Sequence, residues 1–368
     1  MRGNSEGRPV GDGRNAYADL LARSWNNALP MTALWEITYA CNHKCAFCYN
    51  CPERGRRELG TQQIIAGIEK LAHLGCAFLV LSGGEPLTRP DFFDIARAGK
   101  KAGFALRIYT NGYLVDDLVA RKIRDLMPFE VEISFHGANA ATMDKLTGVP
   151  GSYDRVIEGI KSLRRLGVKV NMKVPITRWN QEELRGIKAL ADSMGCHPEF
   201  DPVITPRDDG DTSPLALQAD RDFLARLWSP EFADITHEET PTPRDDTRVQ
   251  ANCGTGRSTI AIDPYGNIYP CVQWRRSAGN ITEVPDLREL WTKSPVLNEV
   301  RRIAMEIPKT TLKTCESGEF CSFCPGVAEV QTGDPFNIYP QVKANSEIRK
   351  KAYDQFLQIQ SRAPVAVS

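Results

Sequence analysis

Cysteine is the residue type whose number and spacing promise chemistry in this chain. Of eleven cysteines, Cys41, Cys45, Cys48 and Cys51 crowd one short stretch, and Cys253, Cys271, Cys315, Cys321 and Cys324 fall in the last third. Cys41-x3-Cys45-x2-Cys48 offers three thiolates within eight residues. Thiolates hold iron–sulfur clusters, usually four to a cluster, and three close ligands would leave one iron open to a small molecule. A zinc site completed by His43 or Cys51 is the alternative. Two groups of cysteines divided by a long cysteine-poor stretch suggest two metal sites in two domains. Cys76 and Cys196 stand alone and read as small buried hydrophobes.

The elements between the two groups alternate. Ala33–Thr38, Phe78–Leu81, Ala105–Tyr109, Glu130–Phe135, Val168–Pro175 and Glu199–Ile204 read as strands. Thr61–Leu74, Asp91–Ala102, Val115–Asp125, Tyr153–Leu166 and Gln181–Met194 have helical spacing. Repeated βα units imply a parallel sheet with helices outside. About six units fall short of the eight of a closed barrel, so the expected class is α/β, a partial (β/α)6 TIM-like barrel. Active sites in such folds lie at the C-terminal ends of the strands, and the first cysteine group directly follows the first strand. Later, Ser258–Asp263 and Ile268–Pro270 flank Pro264-Tyr265-Gly266-Asn267 and read as a hairpin that would bring Cys253 and Cys271 together. The expected organisation is a flexible segment over 1–30, the partial barrel over 31–206 and a connector over 207–250 carrying a helix at Ala219–Leu227. A small iron–sulfur domain with a β-hairpin over 251–340 follows, then a closing helix near Ser346–Ser361 within a C-terminal helix and tail over 341–368.

Composition removes several function classes. The 368 residues are enough for roughly two domains at about 150 residues each. Hydrophobic residues make up 42% and charged residues 25%, which excludes a disordered or fibrous chain. Lys plus Arg and Asp plus Glu are both 46, whereas nucleic-acid binding normally leaves a basic excess, so no nucleic-acid partner is expected. The longest purely apolar run, Ala77–Leu81, is far below the roughly 18 residues of a membrane span, and the polar N-terminus has no signal-peptide core. A cytoplasmic setting follows as the expectation, and there eleven cysteines point to metal or catalysis before disulfides.

Cys41-Asn42-His43-Lys44-Cys45-Ala46-Phe47-Cys48 resembles the Cx3CxΦC motif of radical S-adenosylmethionine (AdoMet) enzymes, with Phe47 as the aromatic Φ. Ser82-Gly83-Gly84-Glu85-Pro86, after the second strand, is similar to that family's GGEP motif, which contacts the methionine amino group. Thr110-Asn111-Gly112 follows the third strand, and Ser134 and His136, at the fourth, stand where the family places ribose and carboxylate contacts. The resemblance covers about Ala33 to Ile204. It implies a [4Fe–4S] cluster on Cys41, Cys45 and Cys48 and AdoMet contacts from Phe47, Gly83, Gly84, Glu85, Pro86, Asn111, Ser134 and His136. The glycines would let the backbone approach the ligand, and Glu85 would offer a carboxylate to its ammonium group. The implied activity is reductive cleavage of AdoMet to a 5′-deoxyadenosyl radical that takes a hydrogen atom from a substrate. A low-potential donor such as flavodoxin or ferredoxin is implied as electron source.

The C-terminal part resembles the SPASM/twitch extension of such enzymes, which houses auxiliary clusters. It departs from the full pattern, because Leu312 stands where a cysteine is required and none follows Cys324. Cys253, Cys271, Cys321 and Cys324 remain as the complement of one auxiliary [4Fe–4S] cluster. Cys315 is left as a ligand by exchange, a structural thiol or a hydrogen-atom donor to a substrate radical. Modification of a peptide or protein by oxidation, crosslinking or epimerisation is the leading expectation. Dehydrogenation or epimerisation of a small molecule (sugar, cyclitol or tetrapyrrole) is the alternative, and a non-enzymatic zinc scaffold is the contrasting class. Asp201, Arg207 and Trp179 lie near strand ends, with surface or packing roles favoured for each.

Overall fold

The computed structural model describes residues 16–51, 56–236, 240–244 and 251–362. The expected loose ends at 1–15 and 363–368, and the connector residues 237–239 and 245–250, lie outside the described residues.

Helix α1 (Ala16–Asn27) occupies part of the segment expected to be flexible. The Arg257 guanidinium holds it by donating to the carbonyls of Trp25 and Asn26 at its C-terminal end. Then β1 (Thr32–Thr38), α2 (Thr61–Leu74), β2 (Phe78–Gly83), α3 (Phe92–Lys101), β3 (Ala105–Thr110), α4 (Asp117–Asp125) and β4 (Glu130–Ser134) alternate. Helices α5 (Ala140–Thr147) and α6 (Ser152–Arg165) precede β5 (Val170–Pro175), α7 (Leu184–Ser193) and β6 (His197–Asp201). Helix α5 was not anticipated, although both its ends are marked. The Asn139 side chain caps Thr142 N–H at 3.0 Å, and Gly148 closes it in the left-handed conformation. The last strand begins earlier than expected and stops before Pro202. Pro198 is tolerated inside it because β6 lies at the sheet edge.

The six strands are parallel in the order β6-β5-β4-β3-β2-β1. One face is apolar: Trp35, Leu79, Leu81, Ile108, Ile133 and Met172 pack under the helices in a single core. Gly67 is required there, since a Cβ at that position would stand 2.3 Å from the Trp35 ring. The other face carries Glu36, Arg107, Tyr109, Glu130, Glu132, Lys173 and Glu199, the residues that alternate with the core positions.

The expected hairpin forms from β7 (Thr259–Ile262) and β8 (Asn267–Tyr269), with β9 (Gly279–Asn280) beside it. It does not stand apart as a separate sheet. β7 pairs parallel to β1, matching Trp35 to Ile262, and extends the sheet to nine strands. The run Thr-Ile-Ala-Ile suits a strand covered on both sides, as parallel sheets require. The connector helix α8 (Arg221–Leu227) packs Phe223, Leu224 and Leu227 with Ile348 of the closing helix, which runs over Pro340–Arg362 and so starts earlier than expected. Pro340 suits a first helical position. Among the described residues, no helix is long and apolar enough to cross a membrane.

Candidate active site

The loop that carries Cys41, Cys45 and Cys48 leaves the C-terminal end of β1, at the mouth of the parallel strands. Backbone contacts set its shape: Lys44 N–H donates to Thr147 O at 2.8 Å, and Ala46 N–H to Leu146 O at 3.0 Å, both at the end of α5. Gly84 N–H reaches Thr38 O at 2.8 Å and Glu85 N–H reaches Ala40 O at 2.9 Å. These bonds need the two glycines. A Cβ on Gly83, at φ +140, would lie 2.1 Å from Thr38 O, and one on Gly84 would lie 2.6 Å from the carbonyl oxygens of Tyr39 and Ala40. The close approach that the glycines permit is therefore to the cysteine loop itself.

Glu85 is held by protein donors. Its fully buried carboxylate accepts from Leu87 N–H at 3.0 Å, the Thr110 hydroxyl at 2.8 Å and Asn111 N–H at 2.6 Å. With three protein donors and, among the described residues, no cation beside it, burial pushes the carboxyl up to about 7. It braces the turn after β2 against the turn after β3. Asn111, positioned by that brace, donates through Nδ2 to Asn42 Oδ1 at 2.8 Å, with Cys41 Sγ at 4.0 Å, and accepts from Tyr113 N–H at 3.0 Å. Thr110, the missed third of the brace, could have been found as the polar residue that ends an alternating strand.

Phe47 and His136 meet edge to face with centroids 4.9 Å apart, which ties the cysteine loop to the residues after β4. Burial first, then the neighbouring His43, lowers His136 to about 3, so the ring is neutral and its Nδ1 has no partner. His43 meets Tyr113 edge to face, is lowered to about 4 by burial, and among the described residues has no partner for either ring nitrogen. Ser134 ends β4 in register with Lys173. Pro86 begins the short turn Pro86–Thr88 beneath the loop.

The donor set suits a cationic iron–sulfur group. Burial pushes the Cys45 thiol up to about 12 and raises Cys41 and Cys48, so the sulfurs stay protonated until positive charge arrives. Asn42 Nδ2 and Asn50 Oδ1 are buried without partners around the same loop. Among the described residues, no three His, Cys, Asp or Glu side chains converge closely enough to grip a single metal ion. Cys51 donates to Asp209 Oδ2 at 2.9 Å, away from the other three.

The second cysteine group is brought together in part. Burial, then the Cys271 and Cys324 sulfurs, push Cys253 up to about 12, and burial with Cys324 pushes Cys271 up to about 11. Cys321, expected with them, is pushed up to about 12 by burial first and then by Cys315, with the Ser346 hydrogen bond opposing. Cys315 Sγ lies 3.6 Å from Ser317 Oγ, which in turn meets Ser346 Oγ at 2.9 Å. Cys253 and Cys321 still line one cavity of about 390 Å³ with Arg244 and Arg349.

Cys76 and Cys196 are buried in the main core. Trp179 lies on the surface under the Lys145 ammonium, 3.9 Å from its ring centroid. Asp201 accepts from Val203 N–H at 2.9 Å, and Arg207 pairs with Asp211 at 3.2 Å.

Comparison with known proteins agrees with this geometry. Residues 35–191 match the radical SAM superfamily, and residues 253–325 match SPASM, an iron–sulfur cluster-binding domain. The AdoMet-dependent heme synthase of Methanosarcina barkeri is 29% identical over 340 residues, covering 84% of this chain and 97% of that protein. The mycofactocin maturase MftC of Mycolicibacterium smegmatis is also 29% identical, over 74% of this chain and 72% of its own. Streptococcus suis SuiB bound to precursor peptide SuiA shares the fold, with a TM-score of 0.68 at 16% identity over 93% of this chain and 84% of that one. The chain therefore belongs to the radical SAM superfamily, as an enzyme that binds a [4Fe–4S] cluster with AdoMet and carries a SPASM auxiliary iron–sulfur domain.

Proposed function

We propose that this enzyme removes a hydrogen atom from a peptide or protein substrate seated against the polar inner face of the sheet, and so oxidises, crosslinks or epimerises it. The observation that carries this reading is the pairing of the Cys41–Cys48 loop at the strand ends with a charged inner wall. On that wall Lys173 bridges Glu132 and Glu199. Such a surface matches the alternating donors and acceptors of a polypeptide better than an apolar ring. Cys41, Cys45 and Cys48 would hold the cluster. Asn111, Ser134, His136 and the Gly83–Pro86 turn would border AdoMet, with Phe47 fixing His136. When bound, the cluster and AdoMet supply an electron and a 5′-deoxyadenosyl radical. The chain's share is to keep His136 neutral and to hold the loop rigid. Cys253, Cys271 and Cys324 would hold the auxiliary cluster. Cys315 would act as a thiol near Cys321 rather than as a fourth ligand.

A second reading, oxidation of a small tetrapyrrole, is favoured by a match that covers 97% of a heme synthase. Anaerobic protein with reconstituted iron and sulfide, given dithionite and AdoMet, should release 5′-deoxyadenosine. Addition of a precursor peptide should speed that release and change the mass of the peptide. Stimulation by a tetrapyrrole alone would select the second reading. Zinc in place of iron with no deoxyadenosine would refute both and leave a metal-binding scaffold.

A further inference from the structure

Glu36 is the one acidic residue in the β1 run Thr-Ala-Leu-Trp-Glu-Ile-Thr, and its side chain is fully buried. Its two carboxylate oxygens each receive one tyrosine hydroxyl, Tyr39 on Oε2 and Tyr49 on Oε1, both at 3.1 Å. Those tyrosines stand immediately before and after the cysteine loop. A buried carboxylate with only two neutral donors would be costly, and the compensating charge comes from far along the chain. Arg275 Nη2 donates to Glu36 Oε2 and to Asp208 Oδ2, each at 2.9 Å, and its guanidinium lies over the Tyr269 ring with its carbon 5.2 Å from the centroid. Asp208 N–H returns to Tyr49 O at 2.9 Å. Both ends of the loop are thus fastened to one carboxylate, and that carboxylate is fastened to the SPASM domain.

Arg275 is itself tightly placed. Trp274 N–H donates to Cys271 O at 3.1 Å, and the two residues form an isolated β-bridge, so Arg275 sits at a fixed offset from an auxiliary-site cysteine. The hairpin that precedes it is paired to β1 through β7.

We propose that Glu36 and Arg275 are positioning residues, a strut through which the SPASM domain holds both ends of the Cys41–Cys48 loop in the shape that binds AdoMet. The inference rests on the radical AdoMet reading. It adds that the order of the Cys271 segment reaches the first cluster through a side-chain contact.

The test uses the full chain, reconstituted anaerobically, with iron content, melting temperature and the electron paramagnetic resonance signal of the dithionite-reduced first cluster titrated with AdoMet. Glu36→Gln/Arg275→Gln removes the buried ion pair but leaves Asp208 without its cation, so the melting temperature is read alongside AdoMet binding. The variant should keep its iron but bind AdoMet roughly ten- to a hundredfold more weakly, the usual cost of losing a partner behind a metal ligand, with a muted spectral response. Arg275→Lys keeps the charge and should restore most of both. Tyr39→Phe/Tyr49→Phe frees the loop while sparing the ion pair, and should show the same weakening even if the charge variant fails to fold. Wild-type AdoMet affinity and spectra in the tyrosine variant would overturn the strut, as would an Arg275→Lys protein no better than Glu36→Gln/Arg275→Gln. An AdoMet-silent wild-type cluster would instead overturn the underlying functional reading.

Discussion

Replacing Glu85 by alanine separates two roles for the same residue. If its carboxylate met the AdoMet ammonium, Glu85→Ala would lose ligand affinity at little cost to the fold. The structure assigns it three protein donors, at 3.0, 2.8 and 2.6 Å, in a fully buried setting. Each stranded donor costs roughly 1–3 kcal/mol, so the sum is about 3–9 kcal/mol before compensation. Alanine also relieves the burden of burying an acid with no cation near it, the effect that pushes the carboxyl up to about 7. A net loss of about 3 kcal/mol remains, which at about 2 °C per kcal/mol for a chain of this size lowers the melting temperature by about 6 °C. Anaerobic calorimetry of AdoMet-free protein reads this directly. Glu85→Gln should fall between alanine and wild type, because one amide oxygen replaces two. A Glu85→Ala protein that melts within a degree of wild type, yet no longer binds AdoMet, would refute the brace and restore the direct contact.

Gly84→Ala should expel iron from the Cys41–Cys48 site without unfolding the sheet, because its Cβ would strike two backbone oxygens of the loop; retention of the AdoMet-responsive cluster signal would refute this. His136 has a folded value near 3, below its ordinary value of 6.5, so its contribution is present above pH 6.5 and is lost as pH falls towards 3. Between pH 7 and 5 the wild type should lose about 2 kcal/mol more stability than His136→Gln, and equal losses in urea titrations would count against a buried neutral ring. In a Cys41→Ala/Cys45→Ala/Cys48→Ala background about four irons should remain, the content of one cubane. Adding Cys324→Ala should remove them and adding Cys321→Ala should not; the reverse pattern in iron analysis would return Cys321 to the ligand set.

What could be read in advance followed how local each constraint was. Three thiolates within eight residues and two successive glycines act within one turn of chain, so the loop and the turn after β2 were legible, as was the alternation that builds six parallel strands. The partner of Glu85 was less so, because the motif names the residue but its three donors belong to the brace. Cys321 and Cys324 invite assignment to one cluster by their spacing, yet Gly318 N–H donates to Cys315 O and Cys321 N–H to Gly318 O. These successive turn bonds set Cys321 close to Cys315, a result of dihedral angles that cysteine spacing does not encode. β7 carried a signal that went unused: its uninterrupted apolar run is unusual for the exposed arm of a free hairpin and ordinary for a strand beside β1. Glu36 carried another, since a charge inside a strand that leads into a metal loop must find a counter-ion when buried. That counter-ion, Arg275, lies 239 residues away in sequence, and only the addition of the hairpin to the barrel sheet makes it a neighbour. The pairing of β7 with β1 thus does more than lengthen the sheet, because it sets the auxiliary-site segment at a distance from which one side chain can hold the first cluster's loop.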